Sequence, residues 1–248
     1  MAQPLFTICT LMTNQAQYEE MRASFVAKGF QEEETEFLCL DNTNGNRWDA
    51  FSGIALFMTQ AKGRFLIICH QDIRLIDSRT QLCEKLSELD TLDRFWALAG
   101  NAGGTVAGGI ATRISDPHGE DQRRGSFPAK AVSLDENFIL LRRDTPIGIS
   151  ATLSGFHFYG TDLCLQARFA GRSAWIIDFH LRHLSAGRVD RSFYLAQQAL
   201  QSHYNALLSR PWKIRTTCTR LNLGHSLGGL VRQWFANRRL ARRLNQAP

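Results

Sequence analysis

The tripeptide His70-Gln71-Asp72 offers the clearest chemistry in the chain. It follows the apolar run Arg64 to Cys69 (RFLIIC), which reads as a strand buried on both faces. Ligands of open parallel sheets bind outside the carboxyl ends of the strands. The polar residues that close the first apolar runs are therefore expected to converge: Thr10, Asp41-Asn42 and His70-Gln71-Asp72. A later run, Ala174 to Asp178, would bring His180 and His183 to the same region if it joins the same sheet. A carboxylate with an imidazole can hold a divalent metal ion, Mn2+ or Mg2+, and leave positions open for a diphosphate. Plainer readings exist for each residue. Asp72 could cap a turn, His70 could be a hydrogen-bonded strand end, and Asp41 before Asn42-Thr43-Asn44-Gly45 could be turn chemistry alone.

The elements that must position these residues follow from hydrophobic periodicity. Leu5 to Leu11 and Glu36 to Leu40 read as strands, the second closed by a polar loop over 41–46. Gln15 to Lys28 has a helical pattern, with Tyr18, Met21, Phe25 and Val26 near one face and Gly29 as its stop. Trp48 to Ala61 reads as a second helix. The opening is thus β-α-β-α-β, the signature of an open α/β sheet. Further on, helices are expected at Leu82 to Leu92, Asp162 to Phe169 and Phe193 to Leu208, and strands at Phe95 to Ala99 and Ala174 to Asp178. Gly100 to Gly109 is expected to be loop or tight turn, and Asp116 to Pro128 a polar surface loop. Ala131 to Leu141 reads as one strand interrupted by Asp135-Glu136-Asn137, where the two acids either flank a ligand or form a solvated bulge.

Composition bounds the class. A chain of 248 residues with 44% hydrophobic content can bury a sizeable core in one domain. No apolar stretch approaches a membrane span, and the amino-terminal residues carry no secretory pattern, so a cytoplasmic location is expected. Cys9, Cys39 and Cys69 sit inside apolar runs, and the six cysteines form no metal-type pairs, which suits a reducing compartment. Ten of the 29 basic residues, and none of the 23 acidic ones, lie after Asp190. The body is mildly acidic and the tail strongly basic. A domain over 1–207 and a basic tail over 208–248 are expected. Leu227 to Leu244 has the pattern of an amphipathic helix carrying Trp234, suited to peripheral contact with a membrane face. Beyond Trp212 and Trp234 the tail lacks the aromatic-basic interleaving of a nucleic-acid binder, so no nucleic-acid partner is expected. Gly224-His225-Ser226-Leu227-Gly228 matches a nucleophile elbow, but no Asp, Glu or His lies in 227–248 and no strand of useful length precedes it, so a glycine-rich turn before the last helix is expected over the hydrolase reading.

Four blocks in order carry a family resemblance. They are the strand ending at Asp41, the helix-AlaLysGly-strand segment ending in His70-Gln71-Asp72, Gly155 to Ala167 (GFHFYGTDLCLQA), and Ile176 to Gly187 (IIDFHLRHLSAG). Together, over about residues 5–207, they resemble the GT-A fold of family-2-like bacterial glycosyltransferases. The match is to a branch that writes the usual Asp-x-Asp as His-Gln-Asp. The resemblance implies an α/β fold with a mixed, mostly parallel sheet flanked by helices. It implies a sugar moved from a nucleoside-diphosphate donor, of the UDP or GDP type, to a hydroxyl of a glycan or lipid-linked acceptor in surface-glycan synthesis. By resemblance, Asp41 contacts the nucleotide base, Asp72 and His183 hold the metal, and Asn101 and Gly103 let backbone approach the donor. His70 stands where the family has an Asp that helps bind ribose or metal. Thr10 and Asn42 complete the nucleotide-sugar set.

The chain also departs from the family. Tyr159-Gly160 occupy the positions where inverting members carry Glu-Asp, one of which is the base. Asp162 and His157 are the nearest groups able to deprotonate an acceptor hydroxyl. Asp162 could instead cap the helix it opens. The alternative that this departure leaves open is a non-catalytic nucleotide-sugar-binding or glycan-assembly partner.

Overall fold

The computed structural model describes residues 3–187, 189–224, 238 and 242–244. The opening is β1 (Phe6–Met12), α1 (Gln15–Ala27), β2 (Thr35–Asp41), α2 (Ala50–Gln60) and β3 (Phe65–Cys69). After His70-Gln71-Asp72 come β4 (Ile73–Leu75), α3 (Arg79–Leu92) and β5 (Trp96–Gly100). The strands β6 (Ala102–Thr105), β7 (Ile110–Asp116), β8 (Gly119–Arg124), β9 (Ala129–Leu134) and β10 (Phe138–Arg142) follow. The chain continues through α4 (Tyr159–Phe169), β11 (Ser173–Ile176), β12 (Leu181–His183) and α5 (Arg191–Leu207) to a hairpin of β13 (Trp212–Arg215) and β14 (Arg220–Leu223).

One mixed sheet holds the first twelve strands, in the order β2-β1-β3-β10-β5-β11-β9-β6-β7-β12-β4 with β8 on β7. β1 runs parallel to β2 and β3, and β10 enters antiparallel between β3 and β5. β3 divides the core by its alternation. Phe65, Ile67 and Cys69 face the cluster that receives Met21 and Phe25 of α1 and Leu82, Leu86 and Leu89 of α3. Leu66 and Ile68 face the cluster built on Ile54 and Phe57 of α2, Leu163 of α4 and Leu200 of α5. Each such side chain, fully buried, contributes about 1.5–3 kcal/mol. Local signals start the helices: Asn14, Asp49 and Asp190 cap α1, α2 and α5, and Ser78 with Gln81 forms a capping box on α3.

Three expected loops and breaks differ. The run Gly100 to Gly109 contains the strand β6 and only a short turn. A Cβ at Gly103 would overlap the Ser133 carbonyl oxygen, and one at Gly104 the Arg215 carbonyl oxygen. The glycines are there because the backbones of β9 and β13 pack against β6, which is a use of glycine other than turning. Within Asp116 to Pro128 lies β8, paired antiparallel with β7. Its side chains are polar and half-buried or exposed, so no hydrophobic alternation marks it. The segment Ala131 to Leu141 is two strands. β9 lies beside β11 and β6, β10 lies beside β3 and β5, and Asp135-Glu136-Asn137 makes the crossing.

Packing also continues past residue 207. Leu208, Ile214, Leu221 and Leu223 join the core cluster. The amphipathic helix expected over 227–244 lies outside the described residues, apart from 238 and 242–244, as does the Gly224 to Gly228 motif beyond its first residue. Among the described residues no helix is long and apolar enough to cross a membrane. Because β6 and β13 touch through backbone, Gly104→Ala is expected to lower stability by about 1–3 kcal/mol. A lower urea midpoint at unchanged slope would report this; an unchanged midpoint would show that the strands can part at no cost.

Candidate functional site

His70 follows β3 directly, and its N–H donates to the Asn137 carbonyl, so its backbone is fixed between β3 and β10. Asp72 precedes β4, which pairs antiparallel with β12 in a register that sets His183 opposite Ile73. The Leu184 N–H donates to the Asp72 carbonyl at 2.9 Å. This pairing draws three ligand-type atoms together. His183 Nε2 lies 3.3 Å from Asp72 Oδ1 and 3.3 Å from His70 Nδ1, and His70 Nδ1 lies 3.9 Å from Asp72 Oδ1. Adjacent oxygen or nitrogen ligands of a small octahedral cation are about 3 Å apart. The trio therefore fits one face of a divalent-cation shell with little adjustment. Gln71 points the other way. Its Oε1 accepts from the N–H groups of Thr13 and Asn14, and its Nε2 donates to Thr13 Oγ1, latching the tripeptide to the β1–α1 turn.

Hydrogen bonding selects the tautomer of His70. The Tyr159 hydroxyl donates its one proton to the Glu136 carbonyl at 2.9 Å. Toward His70 Nε2, at 3.1 Å, it can then only accept. Neutral His70 thus carries its proton on Nε2 and turns the lone pair of Nδ1 toward Asp72 and His183. A hydrogen bond on the far nitrogen is the usual way a metal-binding imidazole is oriented. Burial, helped by His183, pushes the His70 pKa down to about 4, so the ring is neutral near pH 7. At Asp72 burial opposes the charge, but the hydrogen bond and charge of His183 outweigh it and hold the carboxyl well below its usual range. At His183 burial favours the neutral ring, yet Asp72 prevails and the pKa is raised.

These groups line a cleft of about 620 Å³ together with Asp135, Glu136, His157, Tyr159 and the turn Thr216-Thr217-Cys218. Asp135 is tied down, accepting from Asn137 Nδ2 and from Thr217 Oγ1 at 2.8 Å. His157 Nε2 is 3.1 Å from Ser192 Oγ. Glu136 reaches the amino end of α4, where its Oε1 accepts from the Gly160 N–H at 3.4 Å. Burial, with the charge of Asp135 beside it, pushes its pKa up to about 8.

Of the residues read from the sequence, His70, Asp72, His157 and His183 line this cleft; Thr10, Asp41, Asn42, Asn101, Gly103 and Asp162 do not. Asp162 is fully buried and accepts from Ser150 N, Ser150 Oγ and Tyr204 Oη, so it braces α4 against α5. Asn101 and Gly103 likewise have partners within the fold. Asn101 is buried and donates to the Arg113 carbonyl, while Gly103 serves strand packing. Thr10 is buried against Cys69, and Asn42 closes the loop by exchanging two hydrogen bonds with the Trp48 backbone. Asp41 is exposed at the end of β2 and accepts from Thr43. His180 is buried on Ser115, away from the trio. His70 as a third ligand, Tyr159 as its orienting partner and Glu136 in the cleft are all products of tertiary crossing. The sequence marks His70 by its tripeptide and Tyr159 by its block, and Glu136 only by the polar break at Asp135-Glu136-Asn137.

The fold is that of GT-A-type glycosyltransferases. A mannosyltransferase from Pyrobaculum calidifontis, solved with GDP-Man and Mn2+, shares it at a TM-score of 0.55 and 11% identity, over 83% of this chain and 64% of that one. S. aureus TarS residues 1-349 with UDP match at a TM-score of 0.50 and 13% identity, over 80% of this chain and 65% of that one. The chain thus spans just under two thirds of these two structures. No protein-family model matches. The chain belongs to the family of "ATP synthase subunits region ORF 6" of Fuscovulum blasticum, to which it is 39% identical over 207 residues, 81% of this chain and 83% of that one.

Two outcomes follow from the geometry. A metal held by the trio would have to displace the proton from His183, whose pKa Asp72 raises above the ordinary histidine value. Mn2+ affinity is therefore expected to be full above that raised pKa and to fall about tenfold per pH unit below it. Titration calorimetry across about pH 5–8 would read this; affinity flat across that window would remove His183 from the shell. Asp162→Asn leaves one of three buried donors without its acceptor and is expected to destabilise by about 1–3 kcal/mol in chemical denaturation while Mn2+ binding is unchanged.

Proposed function

We propose that the protein is a metal-dependent glycosyltransferase, moving a sugar from a UDP- or GDP-type donor to a hydroxyl acceptor. The observation that carries this reading is the meeting of His70 Nδ1, Asp72 Oδ1 and His183 Nε2 at the carboxyl end of β3 in a GT-A fold. A fold neighbour that holds GDP-Man with Mn2+ supports it. His70, Asp72 and His183 would hold Mn2+ or Mg2+. A divalent ion there supplies Lewis-acid stabilisation of the departing diphosphate. Gln71 keeps the tripeptide rigid, Tyr159 keeps His70 in the binding tautomer, and exposed Asp41 is assigned to the nucleotide base. The acceptor is read as a glycan or lipid-linked sugar of a bacterial surface polymer. The basic run after Asp190 suits the anionic inner face of a membrane.

The rival reading, a nucleotide-sugar-binding partner without transfer, has one observation in its favour: Tyr159-Gly160 brings no acid to the amino end of α4. Calorimetry with UDP and GDP, with and without Mn2+, tests the shared part. Metal-dependent binding is expected, and Asp72→Ala is expected to weaken it at least about 100-fold, since even outer-shell changes at metal sites cost 10–100-fold. Binding that ignores Mn2+ would end the metal-site reading, and binding without donor turnover would favour the rival.

A further inference from the structure

Transfer to a hydroxyl needs a group that takes the hydroxyl proton as the oxygen attacks. This inference rests on the glycosyl-transfer reading and asks which side chain does that work. The cleft contains five carboxylate or imidazole groups besides Glu136, and four are committed. His70, Asp72 and His183 face one another as a ligand set. Asp135 is tied to Asn137 and Thr217. Asp162 lies outside the cleft, enclosed by Ser150 and Tyr204. His157 remains, half-buried and paired with Ser192 on α5.

Glu136 differs from all of these. It sits on the β9–β10 crossing, lines the cleft, and directs its carboxylate at the amino end of α4. That helix start has no side-chain cap of its own: Phe158 occupies the cap position with φ 66° and makes no capping bond. The Gly160 N–H donates to Glu136 instead, and the N–H groups of Phe158 and Tyr159 act on its charge from nearby. Gly160 lets the start of α4 pack directly on β9, because a Cβ there would overlap the Leu134 carbonyl oxygen. The same Tyr159 that orients His70 bonds to the Glu136 carbonyl, so the carboxylate segment and the ligand trio are joined through one hydroxyl. A plain capping carboxylate at a helix start is held strongly ionised. This one keeps a high proton affinity despite those N–H groups, because it is buried beside Asp135.

We propose that Glu136 is the catalytic base, supplied to the amino end of α4 from the β9–β10 crossing. Its carboxylate accepts the acceptor hydroxyl proton. The acceptor oxygen forms its bond to the anomeric carbon as the bond from that carbon to the diphosphate oxygen breaks. The electron pair leaves with the nucleoside diphosphate, and the proton stays on Glu136 until solvent takes it.

The test uses the full chain with UDP-glucose or GDP-Man and Mn2+, water serving as acceptor, and reads nucleoside diphosphate released. Glu136→Gln keeps the size and the contact with α4 but not the base. It is expected to release product at least about 100-fold more slowly than wild type, with Mn2+-dependent UDP or GDP binding within about threefold. His157→Ala is expected to lose less than about tenfold. Wild-type turnover that survives Glu136→Gln within threefold would overturn the base assignment and leave the glycosyl-transfer reading standing. So would a loss confined to His157→Ala. Wild type that binds nucleotide with Mn2+ yet turns over neither donor would overturn both, leaving a binding protein. A Glu136→Gln variant that fails to bind nucleotide, with an unchanged denaturation midpoint, would make Glu136 a binding residue and also overturn the assignment.

Discussion

The complete burial of β3 is the constraint on which the rest depends. All five residues of Phe65–Cys69 are buried, alternately feeding two separate cores. A strand held on both faces cannot shift by one residue without exchanging its two apolar sets. It therefore fixes where the chain emerges, and the residues that emerge are His70, Gln71 and Asp72. Gln71 then anchors the tripeptide to β1, and the β4–β12 pairing brings His183 alongside. The position of the ligand trio is a consequence of apolar packing two residues away.

A second level of control is hydrogen-bond direction. The trio could meet in space and still be useless if His70 presented an N–H inward. One hydroxyl prevents this, since Tyr159 has one proton and gives it to a carbonyl. The electrostatics are then graded across a short span. His70 is kept neutral by burial, Asp72 is kept charged by its neighbours, and Glu136 across the cleft retains its proton more readily than a surface carboxylate. Groups of such divergent proton affinity in one cleft are what a functional site uses.

Legibility in the sequence tracked burial. β1, β2, β3 and β5 are apolar runs, and their positions can be read directly. β4 and β12 are three residues each, and β8 is polar throughout, so none carries a periodic signal. β6 was hidden by glycines that serve close packing. In the site, Asp72 and His183 can be picked out by residue type and by their place after apolar runs. What His70 presents depends on Tyr159, and what Glu136 reaches depends on where β9 and β10 part. Both are long-range facts, and a sequence window holds neither. Asp162 is an acid in a suggestive block whose partners, Ser150 and Tyr204, make it a brace, and those partners too are long-range.

The β4–β12 pairing has a kinetic consequence. His70 and His183 are 113 residues apart in the chain, and the β4–β12 ladder helps to hold them at contact distance. Contacts of such high sequence separation form late, because the loop between them must close first. A nascent or partly folded chain would present isolated histidines and a lone carboxylate, each a poor chelator. A metal ion held at this centre would therefore report that the far edge of the sheet has docked, and its loading would be tied to completion of the fold.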